Sequence, residues 1–275
     1  MNVLPISRRQ FLTTLAGLIG VGSTATWASY GGGPIDDFTV AGGALPVSTT
    51  APTGFPTTTI ASRPTTSTLP PTTSTLATGA GAIQAICKAA WGGREPFGTL
   101  TSHTIERMTV HHTGLTYAGL SAPARVRAVQ GLHVDDRGWV DLAYHFVVDA
   151  DGNVYEGRPV TAVGDTATNY DPTGHFLVCA EGDFNSQVIP AAQVSAVADV
   201  LAWGAVNFGV DPSTIRGHRD WAATSCPGET FYRLISGGIL EQAVRDRVAG
   251  GAPGLSILCG EAAAQRVADI EAGLA

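Results

Sequence analysis

The segment AYHFVVDADGNVYEGRP, residues 143–159, has the pattern of two short strands joined by a tight turn. Asp151-Gly152 lies between the two apolar runs, and Asp-Gly in that position is a strong signal for a β-hairpin. Strand-like segments flank the hairpin in the chain: IERMTVHHTG at residues 105–114 runs into a loop, and HFLVCAEGDF at residues 175–184 is dense in apolar residues. The sequence therefore predicts four strands in and around this hairpin.

Helical segments separate and follow these strands. Ser121 is a candidate N-cap for a helix that extends to about His133, and Pro123 is tolerated in its first turn. PAAQVSAVADVLAWGAVNFG, which starts at Pro190, repeats apolar residues at helical spacing, and a last helix is expected after Pro227-Gly228. This alternation predicts an α/β fold: a single domain with a central mixed β-sheet flanked by helices.

The domain occupies residues 82–250 in this interpretation, between two segments of different composition. Residues 29–81 form a linker rich in Thr, Pro and Gly that contains seven of the chain's 16 prolines. Such a segment cannot bury enough apolar surface to offset the entropy cost of ordering, so we expect it to be disordered. Residues 251–275 form an Ala-rich C-terminal tail.

The N-terminus carries the features of an export signal. SRRQFLTTLAGLIGVGSTATWAS, residues 7–29, joins two adjacent arginines to an apolar stretch that is too short and too weakly hydrophobic for a membrane-spanning helix. The sequence predicts a twin-arginine signal peptide at residues 1–28. We expect a secreted or cell-wall-associated protein whose signal is cleaved after Ala28, with an uncleaved N-terminal anchor as the alternative.

The charge of the chain argues against one class of partner. Its formal net charge is −7, and basic residues cluster only at the extreme N-terminus. Non-specific nucleic-acid binding needs a basic surface that displaces counterions, so we expect no nucleic-acid partner. We also expect a monomer without stable membrane insertion after signal cleavage.

MTVHHTG, residues 108–114, offers two histidines that a strand would point to opposite sides. The side that carries Met108, Val110 and His112 is the more apolar, so His111 is the better candidate for a metal ligand. Two histidines with ordinary structural roles, one on the surface and one in the core, are the alternative.

GHRDWAATSCPG, residues 217–228, adds His218 and Cys226, one of only four cysteines. Imidazole nitrogen and thiolate sulfur are preferred zinc ligands, and a catalytic zinc takes three protein ligands and a water. His111, His218 and Cys226 would supply that number. Because His-x7-Cys is not a tight motif, the spacing alone leaves a disulfide, a buried thiol and a zinc ligand open for Cys226.

Four segments together resemble the zinc-dependent N-acetylmuramoyl-L-alanine amidases of the phage-lysozyme and peptidoglycan-recognition-protein type. They are KAAWGGREP (88–96), VHHTG (110–114), AYHFVVDADGNVYEGRP (143–159) and GHRDWAATSCPGETFY (217–232), and the similarity spans residues 87–234. The resemblance implies a mixed sheet with flanking helices. It also implies hydrolysis of the amide bond between N-acetylmuramic acid and L-alanine in peptidoglycan by a zinc-activated water.

The resemblance assigns roles to five residues of this chain. His111, His218 and Cys226 would bind Zn²⁺. Tyr144 would donate a hydrogen bond to the attacked carbonyl oxygen or to the water, and Thr224 would face the substrate. Relatives often carry a histidine after the hairpin, whereas this chain has AVGDTATNYD at residues 162–171, with Asp165 and no histidine.

Several other polar residues have a structural and a functional interpretation. Glu181 is expected in a salt bridge or at the rim of the site, with an acid/base role as the alternative, and Cys179 is expected to be a buried thiol. Arg158 could meet an acidic group of the stem peptide or form a surface ion pair. Asp220 and Trp221 could orient a zinc ligand, form a local salt bridge or pack. The remaining histidines are assigned non-catalytic roles: His103, His133, His145 and His175.

Cys87 and Cys259 are the cysteines left to pair if Cys226 binds zinc and Cys179 is buried. We expect them to form a disulfide in an oxidising compartment, which would attach the tail to the start of the domain.

Two other classes of function compete with a zinc amidase. One is a recognition module that binds muropeptides without cutting them; the resemblance favours the enzyme because non-catalytic members of the family typically lose the cysteine ligand. The other is a disulfide-bonded surface adhesin on a Thr/Pro stalk.

Overall fold

Seven strands form one sheet in the structure, a computed structural model that describes residues 81–116 and 118–274. The sheet order is β6-β2-β5-β3-β4-β1-β7. In chain order the strands are β1 (Ile83–Ile86), β2 (Arg107–His112), β3 (Phe146–Val148), β4 (Val154–Glu156), β5 (His175–Ala180), β6 (Arg216–Gly217) and β7 (Leu255–Leu258). The signal peptide (1–28) and nearly all of the linker (29–81) lie outside the described residues.

The sheet is mixed, as the sequence predicts. β3 and β4 form the antiparallel hairpin at Asp151-Gly152, and every other neighbouring pair is parallel. It follows that β6, β2, β5 and β3 run in one direction and β4, β1 and β7 in the other. The C-terminal ends of β2 and β6 therefore meet at one edge of the sheet, where their following residues can form a shared site.

Within the described part of the chain, five α-helices cover the two faces: α1 (Ala122–Gly131), α2 (Ala191–Phe208), α3 (Glu229–Ser236), α4 (Ile239–Ala249) and α5 (Gly260–Glu271). On one face Met108 and Val110 of β2 belong to a large apolar core with α2, α3 and α4. On the other face a smaller core joins α1 and α5 to the sheet through side chains that include Val147 and Cys179. The chain therefore has three layers, helix on sheet on helix.

The helices begin close to where the sequence predicts, with differences in detail. Ser121 precedes α1 and Pro123 lies in its first turn, but no side-chain hydrogen bond from Ser121 caps the helix. The segment predicted to end near His133 continues as a single π-helical turn, Leu132–Asp136. α2 is long and apolar enough to cross a membrane by composition, yet more than half of its span is buried inside the domain, as in a core helix.

Residues after Gly250 extend the domain rather than form a separate tail. β7 pairs with β1 along four residues, and α5 packs its apolar side against α1. A disulfide joins Cys87 at the end of β1 to Cys259 just before α5, with the two Cα atoms 5.3 Å apart. The expected pairing of these cysteines is thus present, while the predicted domain boundary at residue 250 falls short of the last strand and helix.

Candidate metal centre

Three side chains converge at the edge of the sheet where β2 and β6 end. His111 is the penultimate residue of β2, His218 directly follows β6, and Cys226 lies in the loop before α3. Their potential ligand atoms all lie within 4.8 Å of one another, and all three residues are buried. The Sγ atom of Cys226 is 3.6 Å from Nδ1 of His111. The structure therefore brings together the three residues proposed as ligands from the sequence.

The loop that carries Cys226 is fixed by short-range contacts. The backbone N–H of Arg219 donates to the carbonyl of Cys226 at 2.9 Å, and the N–H of Cys226 donates to Oγ1 of Thr224 at 3.2 Å. Gly217 leaves room for this loop, because a Cβ there would lie 2.8 Å from Cδ of Pro227. A side chain at position 217 would push Pro227, and with it Cys226, away from the histidines.

Burial sets the protonation states in this cluster. It lowers the pKa of His111 well below its usual value, with the nearby His218 adding to the effect, and lowers the pKa of His218 to about 4. It also raises the pKa of the Cys226 thiol to about 12. Both imidazoles are therefore neutral at pH 7, which is the form that binds metal ions, and a coordinating thiol gives up its proton to a bound cation.

Tyr144 and Thr224 line the same cavity, of about 230 Å³, as the three candidate ligands. The ring of Tyr144 lies 5.2 Å from that of His111, and burial raises the pKa of its phenol well above 10. The phenol therefore stays protonated and can donate a hydrogen bond. The hydroxyl of Thr224 already accepts the N–H of Cys226, so this residue shapes the loop as well as the cavity.

Hydroxyl groups from the segment between β4 and β5 also reach the cluster. Oγ1 of Thr168 is 2.7 Å from Nε2 of His218, and the hydroxyl of Tyr170 is 3.5 Å from Nε2 of His111. In the sequence, this segment stands out only because it lacks a histidine. Hydroxyl-bearing residues alternate at positions 166, 168 and 170, but no local pattern relates them to His111 or His218.

His133, which is assigned a non-catalytic role from the sequence, lines the same cavity. Its Nδ1 accepts the N–H of Ala143 at 3.1 Å, and its ring lies 5.5 Å from that of Tyr144 and 4.7 Å from that of Trp139. The other histidines outside the cluster have partners in the protein. His145 bridges Leu177 N–H and the Ala162 carbonyl; His103 and His175 contact Val160 and Thr109.

Arg158 forms an ion pair, which is one of the two interpretations offered from the sequence, but the pair is with Asp165 and the arginine is buried instead of lying at the surface. The side chain is only 3% exposed and donates to the carbonyls of Leu142, Asp141 and Val163 as well as to the carboxylate of Asp165. Its donors are thus committed within the protein, in a position that holds Asp165 and the segment after it beside the cavity.

Glu181 forms the salt bridge that the sequence favours. Its Oε1 is 2.9 Å from Nε of Arg125, and the carboxylate is buried. Cys179 is a free, buried cysteine, also as expected. Asp220 contacts the backbone near the cluster instead of an imidazole: it accepts the N–H of Gly217 at 2.8 Å, which fixes the turn that carries His218. Trp221 packs edge-on against the ring of His175.

Comparisons with known proteins place this arrangement in a family. Residues 101–229 match the family model described as N-acetylmuramoyl-L-alanine amidase. Peptidoglycan-recognition protein SC2 of Drosophila melanogaster is 32% identical over 158 residues, which cover 56% of this chain and 85% of that protein. The N-acetylmuramoyl-L-alanine amidase of Sus scrofa is 35% identical over 133 residues, 46% of this chain but only 22% of its own length.

Solved structures agree with the sequence relatives. The ectodomain complex of peptidoglycan recognition proteins LCa and LCx, solved with bound tracheal cytotoxin, aligns with a TM-score of 0.50 and 30% identity, over 56% of this chain and 95% of the matched chain. The matched region of the amidase family model contains all three candidate ligands as well as Tyr144 and Thr224. This chain belongs to the family of N-acetylmuramoyl-L-alanine amidases and peptidoglycan-recognition proteins.

Proposed function

We propose that this chain is an exported, zinc-dependent N-acetylmuramoyl-L-alanine amidase that hydrolyses the bond between N-acetylmuramic acid and L-alanine in peptidoglycan. The observation that carries the proposal is the buried cluster of His111, His218 and Cys226 beside the phenol of Tyr144. Two imidazole nitrogens and one thiolate are a donor set that suits Zn²⁺, and three protein ligands leave a position open for water or substrate.

A zinc ion in this cluster would act as a Lewis acid and bring the pKa of a water molecule near 7. The chain's own residues supply the rest of the chemistry. Tyr144 donates its phenolic proton in a hydrogen bond to the carbonyl oxygen of the scissile amide, which gains negative charge during attack. A donor that is held in place before the reaction begins would stabilise that charge with little reorganisation.

Export is supported by two features that lie far apart in the chain. The paired arginines near the N-terminus belong to the predicted twin-arginine signal, and Cys87 and Cys259 form a disulfide. Structural disulfides persist in oxidising compartments outside the cytoplasm. A substrate in the cell wall requires the same location.

Replacement of Cys226 by alanine tests the proposed chemistry. We expect the purified parent protein to contain zinc and to release stem peptides with a free L-alanine amino terminus from purified peptidoglycan. Cys226→Ala should release none above background, because two ligands do not hold the metal in place. Mass spectrometry of the soluble products identifies the cleaved bond. If this variant releases the same peptides at the rate of the parent, the proposed chemistry is wrong.

A recognition module is the second candidate, because relatives such as SC2 of Drosophila melanogaster are named for recognition rather than cleavage. Co-sedimentation with insoluble peptidoglycan separates the two functions. If the parent protein binds peptidoglycan but releases no stem peptide, the chain is a recognition protein and not an amidase. Less than a tenth of an equivalent of zinc in carefully purified protein would exclude a zinc centre altogether.

A further inference from the structure

The segment between β4 and β5 contacts both histidines of the cluster at the same ring atom. Thr168 and Tyr170 place their hydroxyl oxygens 2.7 Å from Nε2 of His218 and 3.5 Å from Nε2 of His111. These residues lie two apart in the chain, so one extended stretch serves both rings. The contact to His218 is the shorter and is the one that carries the argument.

In His111 the contact falls on the ring nitrogen that points away from the cysteine. In His111, Nδ1 faces the Sγ atom of Cys226 at 3.6 Å, while Nε2 faces Tyr170. A neutral imidazole carries its proton on one nitrogen and a lone pair on the other. If Nε2 donates its proton to a hydroxyl oxygen, Nδ1 is left with the lone pair that a metal ion needs.

Thr168 is itself held in place. Its Oγ1 is 2.8 Å from Oγ1 of Thr166, and its N–H donates to the same Thr166 oxygen at 3.1 Å. A hydroxyl group both donates and accepts, so Thr168 can donate a hydrogen bond to Thr166 and keep a lone pair for the N–H at Nε2 of His218. Oγ1 of Thr166 lies farther from the same Nε2, at 3.4 Å. The pair of threonines thus forms a short chain of hydrogen bonds that ends at the imidazole.

We propose that Thr168 is a positioning residue of the metal centre, which fixes the tautomer and ring orientation of His218 so that Nδ1 is its ligand atom, and that Tyr170 assists His111 in the same way. The inference rests on the proposed function only in taking this cluster as a zinc centre. Hydrogen bonds of this kind to a metal-binding histidine change metal affinity by about 10- to 100-fold when they are removed.

Thr168→Val tests the role because it replaces the hydroxyl by a methyl group of nearly the same size. We expect the zinc affinity, measured by competition with a chromophoric chelator, to fall about 10- to 100-fold. The unfolding temperature of the zinc-free protein should change little. Thr168→Ser should restore the affinity. Thr161→Val serves as the matched control, since Thr161 is an exposed threonine seven residues earlier in the chain, and it should bind zinc as the parent does.

The tautomer can also be read without any metal. In two-dimensional ¹⁵N–¹H spectra of the zinc-free protein, we expect His218 of the parent to carry its proton on Nε2, and Thr168→Val to populate the other tautomer. A proton on Nδ1 in the parent, or equal zinc affinity in parent and Thr168→Val, overturns the inference. If the parent protein binds no zinc, the proposed function is wrong instead, and the tautomer measurement still decides the role of Thr168.

Discussion

Tyr144 is the residue that, under the proposed function, would add catalysis to metal binding at this site. Its phenol lies beside His111 and is kept protonated by burial, which raises its pKa. Tyr144 is not expected to be a metal ligand, since a phenol with a pKa above 10 coordinates poorly at neutral pH. A hydrogen-bond donor beside a bound zinc ion would stabilise negative charge on a carbonyl oxygen, which an amidase needs and a binding protein does not.

Tyr144→Phe is therefore expected to lower the turnover number on the order of 100-fold. Zinc content and binding to insoluble peptidoglycan should stay as in the parent, because the ligands and the shape of the cavity are unchanged. Tyr155→Phe is the matched control. Its hydroxyl is buried and donates to Asp149 at 2.7 Å, away from the cavity. This control should lose stability but keep its turnover number. Equal turnover in Tyr144→Phe and the parent would remove the catalytic role.

The alternation of side chains along a strand is enough to single out His111. The neighbouring ring faces the opposite layer: Nδ1 of His112 accepts the backbone N–H of Phe184. Thr168 and Arg158 were beyond such reasoning, because their roles depend on contacts made across the fold. Thr168 contacts His218 although the two residues are 50 positions apart in the chain. A local sequence pattern gives no information about such a contact.

At the scale of elements, the C-terminal segment shows which signals a sequence hides. α5 buries Ala263, Val267 and Ile270, which recur at helical spacing, but its Ala-rich composition looks the same in a tail as in a helix. β7 is a half-exposed edge strand without apolar alternation. β5, which is buried on both faces, was predictable from its continuous apolar run, and α2 was predictable from apolar residues at helical spacing.

The disulfide ties this late segment to the first strand of the domain. Cys87 and Cys259 are 172 positions apart, so the bond closes a loop that holds nearly the whole domain and strongly restricts the unfolded chain. We expect the double variant Cys87→Ser/Cys259→Ser to lose roughly 2–5 kcal/mol of unfolding free energy in urea. Reduction with dithiothreitol should destabilise the parent by the same amount and leave the double variant unaffected.

Parent and double variant with coincident unfolding curves would show that the bond contributes nothing to the fold. Because the bond lies at the end of the sheet formed by β1 and β7, away from the metal cluster at the ends of β2 and β6, zinc affinity of the folded double variant should match that of the parent. A large loss of zinc affinity would instead indicate that the C-terminal segment supports the cluster.

At the scale of the whole molecule, the seven histidines share one property, a pKa lowered by burial. All of them lie in the described residues, and burial is the main cause that lowers the pKa of every one. The reason is architectural: histidines at both faces and at one edge of a three-layer fold are covered by helices and loops. The layers themselves follow from the alternation of strands and helices in the sequence, whereas the burial of each ring follows only from how the layers meet.

Acid should therefore destabilise the zinc-free protein already at pH values well above those at which carboxylates titrate. The folded-state pKa values of His133 and His145 are lowered to about 3 by burial, whereas an unfolded histidine has a pKa of about 6.5. Below pH 6.5 these histidines are protonated in the unfolded chain but stay neutral in the folded chain. The unfolding free energy that is present above pH 6.5 is therefore lost as the pH falls toward 3. Each such histidine removes about 2 kcal/mol between pH 7 and pH 5.

Urea unfolding in the presence of a chelator at pH 7.5, 6 and 5 measures this loss. The unfolding free energy of the parent should fall steadily over that interval. His145→Gln should be less stable than the parent at pH 7.5, because Leu177 N–H and the Ala162 carbonyl lose well-placed partners. The stability of this variant should nevertheless fall less steeply as the pH decreases, since it lacks one buried histidine with a lowered pKa. A parent equally stable at pH 7.5 and pH 5 would show that these rings accept protons in the folded state.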